Sequence, residues 1–140
     1  MKVLIYACAA LLLSTVSCGT SNSLSRYPFR YLSQEVWVLA SLNGVADLQS
    51  TFNGELPYLV FGTDGITSGF TGCNNLVGAV TNLDDGFRVD RGAYTEKACP
   101  GEGEKLFLEA VRTATGYDLR KGRFALNDSG RELVVFTPKE

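Results

Sequence analysis

Apolar residues in this chain come in short runs cut by glycine, asparagine and aspartate, and that spacing predicts strands rather than long helices. The run Val36-Trp37-Val38-Leu39-Ala40-Ser41-Leu42 reads as a strand ended by Asn43-Gly44. Residues 45–56 carry no clear period and read as a loop. After Pro57, Tyr58-Leu59-Val60-Phe61 reads as a short, largely buried strand, which Thr63-Asp64-Gly65 turns into a strand over 66–70. Hairpins follow in series. Residues 79–83 and 87–91 flank Asp84-Asp85-Gly86, a turn that supplies the positive φ values a tight hairpin needs. On the return strand Phe87 and Val89 face inward, Arg88 and Asp90 outward. Residues 117–120 and 123–127 flank Lys121-Gly122, and a last strand over 131–137 follows Asp128-Ser129-Gly130 and stops at Pro138.

One segment changes period. Between 104 and 115, Leu106, Phe107, Ala110, Val111 and Ala114 recur at helical spacing and make an apolar stripe. Glu102 and Glu104 place negative charge at the positive end of that helix, Arg112 sits near its negative end, and Gly116 is placed to terminate it. A helix lodged between strands covers one opening or face of a curved sheet. The pattern therefore predicts a single mainly β domain, a small antiparallel β-meander curved toward a barrel, with one packed α-helix.

The densest local signal is Gly69-Phe70-Thr71-Gly72-Cys73-Asn74-Asn75-Leu76-Val77-Gly78. Glycine and asparagine reach positive φ at low cost, so this stretch reads as backbone held in a demanding conformation and as the structural keystone of the domain. It lacks the Lys-Ser/Thr of a phosphate loop, so its glycines are read as turn residues.

Upstream of the domain, Met1-Lys2 gives a positive start, residues 3–13 are apolar, and Ser14-Thr15-Val16-Ser17 supplies small residues ahead of Cys18. That is a signal peptide over 1–17, too short to serve as a spanning helix. A cysteine directly after the small residues marks a bacterial lipoprotein lipidated on Cys18, although Thr15 stands where such sites usually carry Leu. An ordinary secreted protein cut nearby is the alternative. The organisation is then a signal peptide (1–17), a lipidated cysteine and tether (18–34), and a β domain (35–140). Residues 19–25 are small and polar, as a flexible tether should be. Residues 26–31, where Tyr27, Phe29 and Tyr31 alternate around Pro28, stay open as a candidate lead-in strand. Gly19 occupies the place where Asp usually signals retention at the inner membrane, which favours the outer membrane, facing the periplasm.

Composition narrows the chemistry. The net charge is −2 with no basic cluster, which argues against nucleic acid as a partner. Of four cysteines, Cys8 leaves with the signal and Cys18 takes lipid. Cys73 and Cys99 remain in an oxidising compartment, where a disulfide is the default and closing its loop stabilises the fold by about 3.5 kcal/mol. They are not a Cys-x-x-Cys redox pair. With no histidine, two thiolates do not complete a tetrahedral metal site. The same absence removes Ser-His and Cys-His nucleophile pairs. The carboxylate pairs Asp84-Asp85 and Glu102/Glu104 read as turn chemistry and helix-start charge rather than as a glycosidase pair. Aromatic residues including Trp37, Tyr58, Phe61, Phe70, Tyr94, Phe107, Phe124 and Phe136 either fill the core or line a ligand pocket, and a filled core is the simpler reading.

With these motifs placed, the chain resembles the META domain family, the group that includes HslJ-type heat-inducible lipoproteins of bacterial envelopes. The resemblance covers about residues 35–137. It rests on Trp37-Val38-Leu39 with Asn43-Gly44, and on Gly69-Phe70-Thr71-Gly72-Cys73-Asn74 with Gly78. Thr95-Glu96-Lys97-Ala98-Cys99, the helix with Phe107, and Tyr117 with the last two strands complete it. Relatives often carry Arg or Lys where this chain has Asn75. The resemblance implies an antiparallel β domain with one packed helix, an envelope location, a link to heat or antibiotic stress response, and no known catalytic activity or cofactor. Trp37, Gly69, Gly72, Asn74, Gly78 and Thr95 are then structural motif residues. The expected function is a non-enzymatic envelope lipoprotein, membrane-anchored through Cys18, that acts in envelope maintenance or stress tolerance through contacts with an envelope protein partner. A carrier of a small apolar ligand in the barrel interior is the alternative, and a hydrolase the third.

Overall fold

A computed structural model of the chain describes residues 28–81 and 88–140. The signal segment, Cys18, the tether through residue 27 and the turn Asp84-Asp85-Gly86 lie outside the described residues, as does the facing expected for Phe87, Arg88, Val89 and Asp90.

The chain forms eight strands: β1 (Val36–Leu42), β2 (Tyr58–Phe61), β3 (Ile66–Phe70), β4 (Asn75–Thr81), β5 (Arg88–Tyr94), β6 (Gly116–Arg120), β7 (Arg123–Asp128) and β8 (Arg131–Pro138). Three helical segments accompany them, α1 (Pro28–Leu32), α2 (Leu48–Thr51) and α3 (Gly103–Thr113). The strands pair antiparallel in one sheet, in the order β5-β4-β3-β2-β1-β8-β7-β6. Each neighbour but one is a sequential hairpin partner. The exception is β1 with β8, where Trp37 lies opposite Pro138 and Leu42 opposite Val134, with a bulge between Leu39 and Ser41. The meander is not closed into a barrel, because β5 and β6 end the sheet without pairing to each other.

Alternation along the strands sends one set of side chains into a common core. Trp37, Leu39, Leu59, Phe61, Phe124, Leu126, Val134 and Phe136 are buried from the sheet, and Phe107 and Val111 from α3. Phe124 is the centre of an aromatic cluster, with ring centroids 5.9 Å from Trp37, 5.6 Å from Phe61 and 5.7 Å from Phe136. Phe107 closes the cluster from the helix, 6.1 Å from Phe136 and edge-on to it. Edge-to-face and offset rings at these separations are the favoured geometries, so the interior side of the sheet is filled with aromatic carbon.

Several elements differ from the sequence reading, each for a local reason. Residues 28–32 are helix, neither tether nor strand, because Pro28 suits a first helical turn and Leu32 has a core to enter. Leu32 is fully buried, and its carbonyl oxygen accepts a 2.9 Å hydrogen bond from Trp37 Nε1. Within the expected loop, Asp47 caps α2 by accepting from the Ser50 amide at 3.1 Å, and the turn carries Phe52 into the core. In α3 the buried stripe is Gly103, Phe107 and Val111, whereas Leu106 is 41% exposed. Gly116 does not terminate that helix. The chain turns extended at Ala114 (ψ 130°), and Gly116 already opens β6. Six of the ten residues of the glycine-rich keystone are likewise strand, since β3 runs to Phe70 and β4 begins at Asn75.

Truncation of the central ring tests this core. Phe124→Ala is expected to lower unfolding free energy by about 3–5 kcal/mol, and Leu106→Ala by well under 1 kcal/mol. Urea unfolding of the two variants measures both, and equal losses would contradict the burial pattern.

Candidate functional site

The keystone turn spans residues 71–74, between β3 and β4, and its geometry starts from two glycines. Gly72 has φ +100°, and a Cβ there would lie 2.4 Å from the Phe52 ring. A Cβ at Gly69 would lie 2.2 Å from the Tyr58 carbonyl oxygen. Only glycine lets the turn settle onto α2 and β2 in this way. The turn is closed by the Thr71 amide donating to Asn74 O at 2.8 Å.

That closure aims the Asn74 side chain inward, where it is 1% exposed. Asn74 Oδ1 accepts from the Lys97 amide at 2.8 Å and from Thr95 Oγ1 at 3.0 Å. Asn74 Nδ2 donates to Glu104 Oε2 at 2.9 Å, with Tyr94 Oη and Lys97 O each 3.4 Å away. The Asn74 amide donates to Glu104 Oε1 at 3.1 Å, and Thr71 Oγ1 makes a short contact to the same oxygen. Thr95 Oγ1 in turn accepts from the Asn75 amide at 2.9 Å. One asparagine thus ties the β3–β4 turn to the end of β5, to the loop after it and to the start of α3.

A covalent tie runs beside it. Cys73 and Cys99 are joined, with an S–S distance of 2.03 Å and Cα atoms 5.8 Å apart. Cys99 Sγ lies 2.9 Å from Glu104 Oε2, and having no proton it meets that oxygen as a close contact rather than as a donor.

The remaining motif residues lie apart from this knot. Gly78 sits at the register shift between Val77 and Gly78, where β4 meets β5. Trp37 is in the aromatic core. Cys18 is outside the described residues.

Glu104 is the member that sequence reasoning missed, having been assigned to helix-start charge. Gly103 decides its role. A Cβ at that position would meet Thr51 O at 2.6 Å and the Phe52 ring at 3.0 Å, so the first turn of α3 is pressed onto α2. In that orientation Glu104 points into the knot while Glu102 stays outside, paired with Lys105 at 2.9 Å. The glycine between the two glutamates marks the place in sequence, but only its packing tells which glutamate turns inward.

Chemically the cluster is closed. The two sulfurs and a Glu104 oxygen lie within 4.8 Å of one another, as three metal ligands would. However, the S–S bond removes both thiolates, so the oxidised site has no such donor set. Tyr94 titrates above its ordinary value of 10.0, chiefly because burial penalises the phenolate and next because Glu104 accepts its hydrogen bond and repels the charge. Between α3 and strands β4 and β5 lies a groove of about 260 Å³. Leu76, Leu108, Val111 and Tyr94 supply its apolar lining, with Glu104, Lys105 and Arg112 around it.

An open antiparallel meander, one packed helix and a disulfide-braced asparagine knot define a small, mainly β domain. The family model of the META domain matches residues 30–140, and the chain belongs to that family. No protein of curated function matches it significantly. Solved structures similar to it include a protein determined by NMR, with TM-score 0.59 at 21% identity over 79% of this chain and 93% of the other. A DUF4847 family protein from Bacteroides vulgatus, solved by crystallography, gives 0.55 at 13% identity, covering 79% and 96% respectively. An NMR structure from Burkholderia xenovorans gives 0.55 at 18% identity over 94% and 99%. At these identities the likeness is one of fold.

Two measurements probe the knot. Glu104→Ala removes the charged acceptor shared by the Asn74 amide and Nδ2, leaving them only longer contacts, and is expected to cost about 1–3 kcal/mol. Because the two residues share one network, combining it with Asn74→Ala should cost clearly less than the sum, and strict additivity in urea unfolding would refute the coupling. For Tyr94 the folded value lies above the unfolded one, so its contribution is complete below pH 10.0 and is lost as pH rises through the raised value. Tyr94→Phe should flatten that alkaline loss. An unchanged alkaline limb would mean that another group causes it.

Proposed function

We propose that the chain is a non-enzymatic lipoprotein of the bacterial cell envelope, held by lipid on Cys18 at the periplasmic face of the outer membrane. Its META domain works through protein contacts in envelope maintenance or stress tolerance. The observation that supports this best is the engagement of the knot. The groups in it that could carry chemistry are bonded to one another, Cys73 to Cys99, and Glu104 to Asn74 and Thr71. Such an arrangement fixes a shape; it offers no poised nucleophile or base.

A carrier that used the sheet interior finds less support, since Trp37, Phe61, Phe124, Phe136 and Phe107 fill that space with ring against ring. The groove beside α3 fits the contact reading better. Its apolar floor and charged rim of Glu104, Lys105 and Arg112 have the anatomy of a pocket for one anchoring side chain of a partner.

The test is photo-crosslinking in the intact envelope, with a reactive amino acid at Leu108 or, as control, at exposed Arg131. A discrete protein adduct from position 108 and none from 131 is the expected result. Absence of any adduct, or a stoichiometric apolar small molecule in native mass spectra of the purified protein, would overturn the contact reading. Intact mass should also show a lipid adduct on Cys18, and an unmodified chain would remove the anchor.

A further inference from the structure

The outer face of strands β1–β4 carries no charged side chain. Two rows cross it in register: Val36, Val60, Ser68 and Val77, then Val38, Tyr58, Phe70 and Asn75. Ile66 lies at its margin, opposite Ala79. The large apolar groups here are open to solvent, with Ile66 52%, Val77 47% and Tyr58 37% exposed. Tyr58 and Phe70 stack, with ring centroids 6.1 Å apart. The β6–β8 part of the sheet is different, carrying the ion pairs Arg120–Asp118 at 2.7 Å and Arg123–Glu132 at 2.6 Å. A contiguous solvent-facing apolar surface on a small domain marks a contact site.

The geometry points to a lipid bilayer as what this face meets: the domain lies with β2–β4 against the membrane that holds its anchor. The inference goes beyond the proposed function but rests on its lipid anchor at Cys18. Three observations select the bilayer. First, ten residue steps separate Cys18 from Pro28, so an extended tether keeps the start of α1 within about 35 Å of the lipid. Second, the chain enters the domain at the end of the sheet where this face carries Ile66, although α1 itself packs on the core side. The Phe29 ring packs against Gly65, 3.7 Å from where a Cβ would stand, and Gly65 immediately precedes Ile66. Third, the chemistry suits the membrane–water interface. Within β1–β4 no charge has to be dehydrated, Asp90 taking the register position opposite Ala79 at the margin of the face. A tyrosine stacked on a phenylalanine presents an apolar body with a polar tip.

The experiment uses the exported full-length product in vesicles of phosphatidylethanolamine and phosphatidylglycerol containing a phospholipid with a photoactivatable acyl chain. Peptide mapping should place the label on residues 58–79, with at least fivefold less on 116–137. The double variant Ile66→Glu, Val77→Glu should lose most of that label while its circular dichroism and its Cys18 lipid mass stay unchanged. A milder pair, Ile66→Ser with Val77→Ser, should give an intermediate loss and covers the case in which the charged variant misfolds. Label spread evenly over the sheet, label unchanged in both variants, or a concentration-dependent dimer that the variants abolish would overturn the inference, the last by showing a second copy on this face. Failure of the anchor reads out separately. If intact mass shows no lipid on Cys18, flotation of the unlipidated chain with the same vesicles decides, and a chain that stays at the bottom of the gradient overturns the inference.

Discussion

A carboxamide buried to 1% exposure has to find its hydrogen-bond partners inside the protein, and at Asn74 they come from the end of β5, the loop after it and the start of α3. Each unpaired polar group at such a site costs about 1–3 kcal/mol, and partners in a shared network strengthen one another. The consequences run outward. Satisfying Nδ2 requires Glu104, and bringing Glu104 inward requires α3 to lie on α2, which in turn requires Gly103 and Phe52 to touch. Satisfying Oδ1 requires the Lys97 amide and Thr95, which fixes the chain as it leaves β5. The disulfide then makes permanent what the asparagine arranges.

The aromatic core depends on this knot more than it first suggests. Phe107 reaches Phe136 only from a helix already placed by its N-terminal turn. The sheet supplies one wall of the core and α3 the other, and the knot sets the distance between them. Because the wall is filled by rings packed on rings, the open surfaces of the described residues lie outside it, in the groove along α3 and on the open side of the sheet.

Much of this architecture can be read from the chain. The strand runs at 36–42, 58–61 and 66–70 coincide with β1, β2 and β3, because alternation and turn residues speak the same local language there. The amphipathic helix is legible for the same reason. What is not legible depends on tertiary contact. Leu106 falls on the apolar stripe by periodicity yet is exposed, because the sheet reaches only as far as Phe107 and Val111. The helical state of 28–32 follows from a core vacancy for Leu32, which no local pattern announces. Asn74 and Gly72 were visible as residues of a demanding turn. Glu104 was not, since Glu102 looks identical in sequence and only the packing of Gly103 tells them apart.

The order of the strands also governs when the fold can complete. The sheet runs β5-β4-β3-β2-β1-β8-β7-β6, so its middle is the place where the first strand meets the last. Trp37 and Val38 pair with Pro138 and Thr137, about a hundred positions later. A ribosome delivers the N-terminus first, and until Pro138 arrives β1 has one of its two edges bare and Trp37 lacks the wall of its pocket. Contacts of such sequence separation are the slow ones in folding, because the closing of a long loop precedes any gain from it. The two halves can each zip up as hairpins early, but the seam that joins them waits for the whole polypeptide.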